Sequence, residues 1–162
     1  MLKKKPLHDA SVVQVRFDHL SGRMIASASL DSKIKLTTAY LEDLDSDGSG
    51  PFANITTYGE TLMAVKMGSW TNGLAFSPNC TEIGCVNQGG ELIFYPVSDA
   101  VSAVDKKDER YKPNGAKTEH KGNPHLHLTY ISDDKVVATG FDKVPYLYTK
   151  QGSEWKETKV LD

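Results

Sequence analysis

The chain has 162 residues, 39% of them hydrophobic and 25% charged, and a formal net charge of −2, a composition that fits one globular domain with a real core. Such a balance supplies no broad basic field, which argues against nucleic acid and anionic membrane surfaces as partners, and no stretch approaches the roughly 20 apolar residues that span a bilayer. Cys80 and Cys85 are too few for a disulfide scaffold and form no metal signature, so free thiols in a reducing compartment, the cytoplasm, are expected.

In chain order, Lys3-Lys4-Lys5 reads as a solvated end, and Pro6, His8 and Asp9 interrupt the segment after it, so no secretory signal is expected. VVQVRF alternates and ends on Phe17, a turn follows, and Met24 to Ser29 forms a strand of small and β-branched residues. A tight turn at Asp31 leads to an alternating strand from Lys33 to Thr37. Residues 41–58 are polar and read as an insertion, with one short helical turn at most from Tyr40 to Leu44. The same grammar returns twice. A strand ending on Phe76 is followed by Glu82 to Val86 and Glu91 to Tyr95, and a strand ending on Tyr130 by Lys135 to Thr139 and Val144 to Tyr148. Residues 98–123 read as a second polar insertion, and the tail SEWKETKVL alternates as an outer strand.

Three tandem meanders of half-buried antiparallel strands predict an all-β protein built from small sheets. The closing aromatics lie 59 and 54 residues apart, longer than the roughly 40–45 of a plain propeller blade, and the two insertions hold the excess. His8, Val12, Val15 and Phe17, then Ala26-Ser27-Ala28-Ser29 and Asp31, stand at the spacings of a WD repeat; Asp142 and Tyr148-Thr149 do so in the third unit. The second unit is degenerate, with Gly89 at the turn and Tyr95-Pro96 at the close, and no Trp-Asp pair occurs. The pattern resembles the WD-repeat family and implies a β-propeller, here partial: about three four-stranded blades of a seven-bladed propeller, near 10–67, 68–118 and 119–162. Three blades do not close a ring, so the favoured expectation is a piece of a longer protein, with association to cover the open faces as the alternative.

Within that family, three runs resemble actin-related protein 2/3 complex subunit 1: SASLDSKIKLTTAYLEDLD, GSWTNGLAFSPNCTEIGCVNQGGELIF and ISDDKVVATGFDKVPYLYT, preceded by Lys4-Lys5-Pro6. Both insertions fall where that subunit has them. The resemblance implies a non-catalytic scaffold of the cytoplasm and cytoskeleton that contributes to nucleation of branched actin filaments through protein–protein contacts. It implies as partners the other subunits of the complex, actin filaments and nucleation-promoting factors, with no cofactor. A WD-type scaffold of another assembly, or a calcium-responsive module, are the other readings.

The chemical candidates are weighed against this frame. Asp43, Asp45, Asp47 and Gly48 sit at positions 1, 3, 5 and 6 of an EF-hand count, but Asn54 falls where the bidentate glutamate belongs, and no helices flank the loop. These acids are weak metal candidates, and a flexible acidic insertion is expected. His125 and His127, with Leu126 and Leu128 between and after them, are expected to alternate, the leucines toward the core and both histidines away from it. His8, Ser27 or Ser29, and Asp31 carry the residue types of a triad. In a WD-type blade they form a structural relay instead, for which His8, Ser29, Asp31 and Asp142 are the candidates. No catalytic residue is expected. Among Trp70, Tyr95, Tyr111, Tyr146, Tyr148 and Trp155, Tyr111 falls in the long polar insertion instead of a strand and is a candidate interface residue.

Overall fold

A computed structural model describes residues 6–45, 47–106 and 109–161. Three four-stranded antiparallel sheets follow one another along the chain. The first comprises β1 (Val12–Phe17), β2 (Met24–Ser29), β3 (Lys33–Ala39) and β4 (Tyr58–Lys66). β5 (Thr71–Phe76), β6 (Glu82–Asn87), β7 (Glu91–Pro96) and β8 (Ala116–Glu119) form the second; β9 (His125–Ser132), β10 (Lys135–Gly140), β11 (Tyr146–Gln151) and β12 (Glu154–Val160) form the third. Each sheet is a simple meander, and the first strands β1, β5 and β9 lie side by side. The fold is a partial β-propeller of the WD-repeat type, three blades long. Among the described residues, no helix is long and apolar enough to cross a membrane.

Alternation fixes which face of each blade meets its neighbour. Pairing of Phe17 with Ile25 and of Val15 with Ser27 puts these residues on one face of the first blade, while Ala26, Ala28, Ile34 and Leu36 take the other. That second face packs on Leu74, Phe76, Ile83, Cys85, Ile93 and Tyr95 of the second blade. The same step repeats between Val86, Leu92 and Phe94 of the second blade and Leu128, Val136, Ala138, Tyr148 and Trp155 of the third. Small side chains at Ala26, Ala28 and Gly84 let the sheets approach, and each large apolar residue so buried contributes about 1.5–3 kcal/mol. Trp155 stacks on Phe94 at 4.2 Å between ring centroids and anchors the tail strand β12.

The two stretches expected as rim loops are more structured than their polarity indicates. Within 98–123 the chain forms a short 3-10 helix, Ser98–Ala103, and then β8, the outer strand of the second blade. β8 pairs with β7 because Lys117 meets Glu91 and Glu119 while Ala116 lies opposite Phe94. Part of residues 41–58 is docked: Phe52 is 0% exposed and Ile55 is buried in the core between blades one and two. The Arg23 guanidinium donates to the carbonyls of Ala53 and Ile55, and Ser49 N–H donates to Leu20 O at 3.0 Å. Polar composition hid this docking because two apolar residues suffice to anchor the loop.

Candidate functional site

The sequence offered a relay of His8, Ser29 and Asp31. His8 Nδ1–H donates to Asp31 Oδ2 at 2.9 Å, and the hydroxyl at 2.8 Å from His8 Nε2 is that of Ser27, not Ser29. Both serines share one face of β2, but an imidazole carries its nitrogens on opposite edges. With Asp31 on one edge, only the residue one pleat farther into the strand reaches the other. Ser29 Oγ instead accepts from Asp31 N at 3.1 Å and donates to Ala10 O at 3.2 Å, closing the turn itself. Burial alone would raise the Asp31 carboxyl, but donors from Asp9 N, His8 and Lys33 N outweigh it and hold it below the usual carboxylate range.

Asp31, His8 and Ser27 thus stand in the order of a hydrolytic triad. The Ser27 hydroxyl is fully buried beneath His8, whereas a nucleophile has to reach its substrate. The cluster therefore ties the incoming segment to the β2–β3 turn.

The third blade repeats the device around a histidine that the sequence reading placed in a loop. His120 Nε2 lies 3.0 Å from Asp142 Oδ2, and its Nδ1 lies 2.9 Å from Glu157 Oε2. Both partners are carboxylate oxygens, which only accept. Asp142 also accepts from Asn123 N and Nδ2 and from the Tyr146 hydroxyl. His120 first, then Asn123, hold the Asp142 carboxyl low. The available signal was spacing: His120 precedes Tyr130 by ten residues, as His8 precedes Phe17 by nine.

His125 stacks on His120 with ring centroids 4.2 Å apart and places Nε2 at 2.9 Å from the Tyr148 hydroxyl, which donates onward to Glu157. Burial, and then the facing His120 ring, lower its pKa to about 4. The expectation that both histidines leave the core fails here. A register shift between Thr139 and Gly140 turns His125 inward beside Leu128, leaving Leu126 half-buried and His127 exposed.

In the second blade, Asn87 does what Gly89 cannot. Its Oδ1 accepts from Gly89 N and Glu91 N, both at 3.0 Å, and its amide donates to Glu91 Oε2. The Lys117 ammonium first, then Asn87, hold the Glu91 carboxyl below its ordinary value.

The other candidates find ordinary surroundings. Asp45 Oδ2 accepts from Leu41 N at 2.6 Å and closes the Leu41–Asp45 turn, while Asp43 and Asp47 are exposed. Among the described residues, no group of three potential ligands is placed to hold a metal ion. Tyr111 is half-buried against the core between blades one and two; its N–H donates to Leu62 O at 2.8 Å and it bridges Met63 of β4. Its contacts are internal, because the second insertion crosses to the outer edge of the first blade, where Asp105 N also reaches Glu60 at 2.9 Å.

A concavity of about 740 Å³ lies on the uncovered face of the first blade. Leu7, Ile25, Lys35, Thr37, Tyr58 and Arg110 line it. Next to it, Val15 and Phe17 are exposed.

No protein-family model matches the sequence. The chain is 26% identical over 156 residues to actin-related protein 2/3 complex subunit 1A-B of Xenopus laevis, covering 93% of this chain and 38% of the relative. It is 22% identical over 162 residues to actin-related protein 2/3 complex subunit 1 of Saccharomyces cerevisiae, covering 98% and 38%. It is 23% identical over 143 residues to subunit 1A of Arabidopsis thaliana, covering 87% and 35%. The similarity thus runs along nearly the whole chain, to the same subunit in an animal, a fungus and a plant, and the chain spans little more than a third of the length of these curated relatives.

Proposed function

We propose that the chain acts as a non-catalytic scaffold within the actin-nucleating complex whose subunit 1 it resembles, contributing to branched filament formation through protein–protein contacts. The observation that carries this reading is the similarity to one and the same subunit over 87–98% of the chain, at 22–26% identity. The buried relays around His8 and His120 agree with it, since they rigidify blades and present no reacting group to solvent. Its partners are the other subunits of the complex and, through them, actin filaments and nucleation-promoting factors; its place is the cytoplasmic actin cytoskeleton.

Affinity purification of the tagged chain from cells of its own source tests the reading. The expected outcome is stoichiometric recovery of both actin-related subunits, with loss of that recovery when Phe17 and Tyr58 on the open face are changed to aspartate. Recovery of another multiprotein assembly without actin-related subunits would overturn it.

A further inference from the structure

Asparagine is followed by glycine at two places in this chain, Asn72–Gly73 and Asn114–Gly115. Such a pair favours one reaction, because the glycine N–H has no side chain beside it and can swing toward the asparagine amide carbon. The two pairs meet different surroundings. The Asn72 amide donates to His125 O at 2.9 Å and to Gln88 Oε1 at 3.2 Å. Gly73 pairs with Val86 and is closed in by Leu126 O and Gln14 Oε1. Asn114 is exposed, and among the described residues its side chain makes no hydrogen bond. With Gly115 it lies between Tyr111 and the start of β8, outside any strand. The other asparagines are poorly set up for the same step. Asn79 and Asn87 are locked into their own turns, the residue after Asn54 is the buried, branched Ile55, and Pro124 after Asn123 has no N–H.

We propose that Asn114 is a site of spontaneous deamidation, a slow covalent change at the outer joint between blades one and two. Gly115 N attacks Asn114 Cγ, the C–N bond of the side-chain amide breaks, and ammonia leaves with the proton that Gly115 N gives up. The cyclic imide so formed takes up one water and opens to aspartate or to isoaspartate. Isoaspartate routes the main chain through the side chain and lengthens it by one carbon. That extra length falls in a short crossing. Tyr111 N–H is held by Leu62 O on β4, and Ala116 of β8 lies opposite Phe94, so residues 112–115 span the gap. Gly115 takes up no slack inward, because a Cβ there would sit 2.6 Å from both Ile93 and Tyr95. The two anchors are unequal. Tyr111 rests on one backbone bond and an isolated bridge to Met63, whereas β8 has a four-residue ladder and the Lys117–Glu91 ion pair. The Tyr111 contact therefore yields first, and the second insertion loosens from the outer edge of the first blade.

Incubation of the full chain at mildly alkaline pH, then digestion at slightly acidic pH and mass spectrometry, reads the change site by site. The peptide carrying Asn114 gains the mass of an amide-to-acid conversion and accepts a methyl group from an isoaspartyl methyltransferase. Asn72 converts at least about tenfold more slowly in the folded chain, since its two hydrogen bonds have to open first. In urea the two sites convert at similar rates, which separates protection by the fold from local sequence. Asn114→Gln, whose longer side chain does not close the same ring, abolishes the methylation and leaves the thermal melt unchanged. In the modified chain, amide exchange at Tyr111 rises while β8 keeps its protection. Asn72 converting as fast as Asn114 in the folded chain, no conversion at Asn114, or unchanged exchange at Tyr111 after conversion overturns the proposal.

Discussion

His120 Nε2 stands 3.0 Å from Asp142 Oδ2, and this contact ties the end of the second blade to the β10–β11 turn of the third. His120 follows β8 directly, while Glu157, its second partner, lies on β12, so one imidazole joins two blades at the rim. Replacing it by alanine strands Asp142 and the Tyr148 hydroxyl without their shared partner. A buried hydrogen bond to a charged group contributes about 1.5–3 kcal/mol, so His120→Ala is expected to lower unfolding stability by about 2–3 kcal/mol, read as a shift of the urea midpoint. Asp142→Asn should destabilise in the same direction. An unchanged midpoint in both variants would show that the relay contributes nothing.

The stacked pair of His120 and His125 makes stability depend on pH. Burial and the facing His120 ring lower the His125 pKa to about 4, below the ordinary 6.5 of the unfolded chain. Between these values the unfolded state binds the extra proton, so stability falls as pH drops from about 6.5 to about 4 and levels off below. A shift of this size corresponds to roughly 3 to 3.5 kcal/mol. The groups facing His125 are His120, Asp142, Glu157, Tyr146 and Tyr148. Of these, Asp142, held low, adds its own loss only below the ordinary carboxylate range. His125→Phe removes the titrating ring and is expected to flatten the slope of urea-midpoint against pH in this window. A slope as steep as that of the parent would assign the effect elsewhere.

Phe52 separates a docked loop from a free one. It is fully buried and meets the Phe76 ring edge-on at 6.3 Å between centroids. Truncating a buried phenylalanine costs about 3–5 kcal/mol, so Phe52→Ala is expected to fall in that range and to expose residues 48–55 to rapid amide exchange. Changing Asp43, Asp45 and Asp47 together to asparagine should alter stability by no more than the single turn bond at Asp45, about 1 kcal/mol. Equal effects of the two substitutions, by thermal melts, would restore the picture of a free acidic loop.

The blades were legible because a sheet buried on one face writes its period of two into the sequence. The Lys-Ile-Lys-Leu start of Lys33–Ala39 and the strand Lys135–Gly140 follow it, whereas Met24–Ser29 and Glu82–Asn87, buried on both faces, were legible as runs of small and apolar residues bounded by turns. What resisted reading was contact between segments of unlike composition. β8 is four residues long, AKTE, with no apolar run, and forms because Lys117 finds Glu91 across the ladder. The choice between Ser27 and Ser29 turns on the width of an imidazole, which strand periodicity does not encode, since both share a face. His125 was assigned to the wrong face because a bulge at Gly140 breaks the alternation that the assignment relied on.

Gly73 shows how tightly the arc is wound. It lies on β5, and a Cβ built there would sit 2.6 Å from Leu126 O on the neighbouring inner strand and 3.2 Å from Gln14 Oε1 on the other side. Both adjoining blades therefore press on this one position. The Leu126 contact is backbone and does not rotate away, so relief requires β9 to move as a unit with the blade behind it. Overpacking of this kind costs about 1–3 kcal/mol, and Gly73→Ala is expected to pay it mainly by loosening the contact between blades two and three. Amide exchange should rise at β9 and β10 while β1 to β3 keep their protection, and the stacking of Trp155 on Phe94 should weaken, read as a red shift in tryptophan emission. A variant with parent-like exchange and emission would mean that the inner strands have slack, and that the spacing seen at Gly73 is not what holds the blades in step.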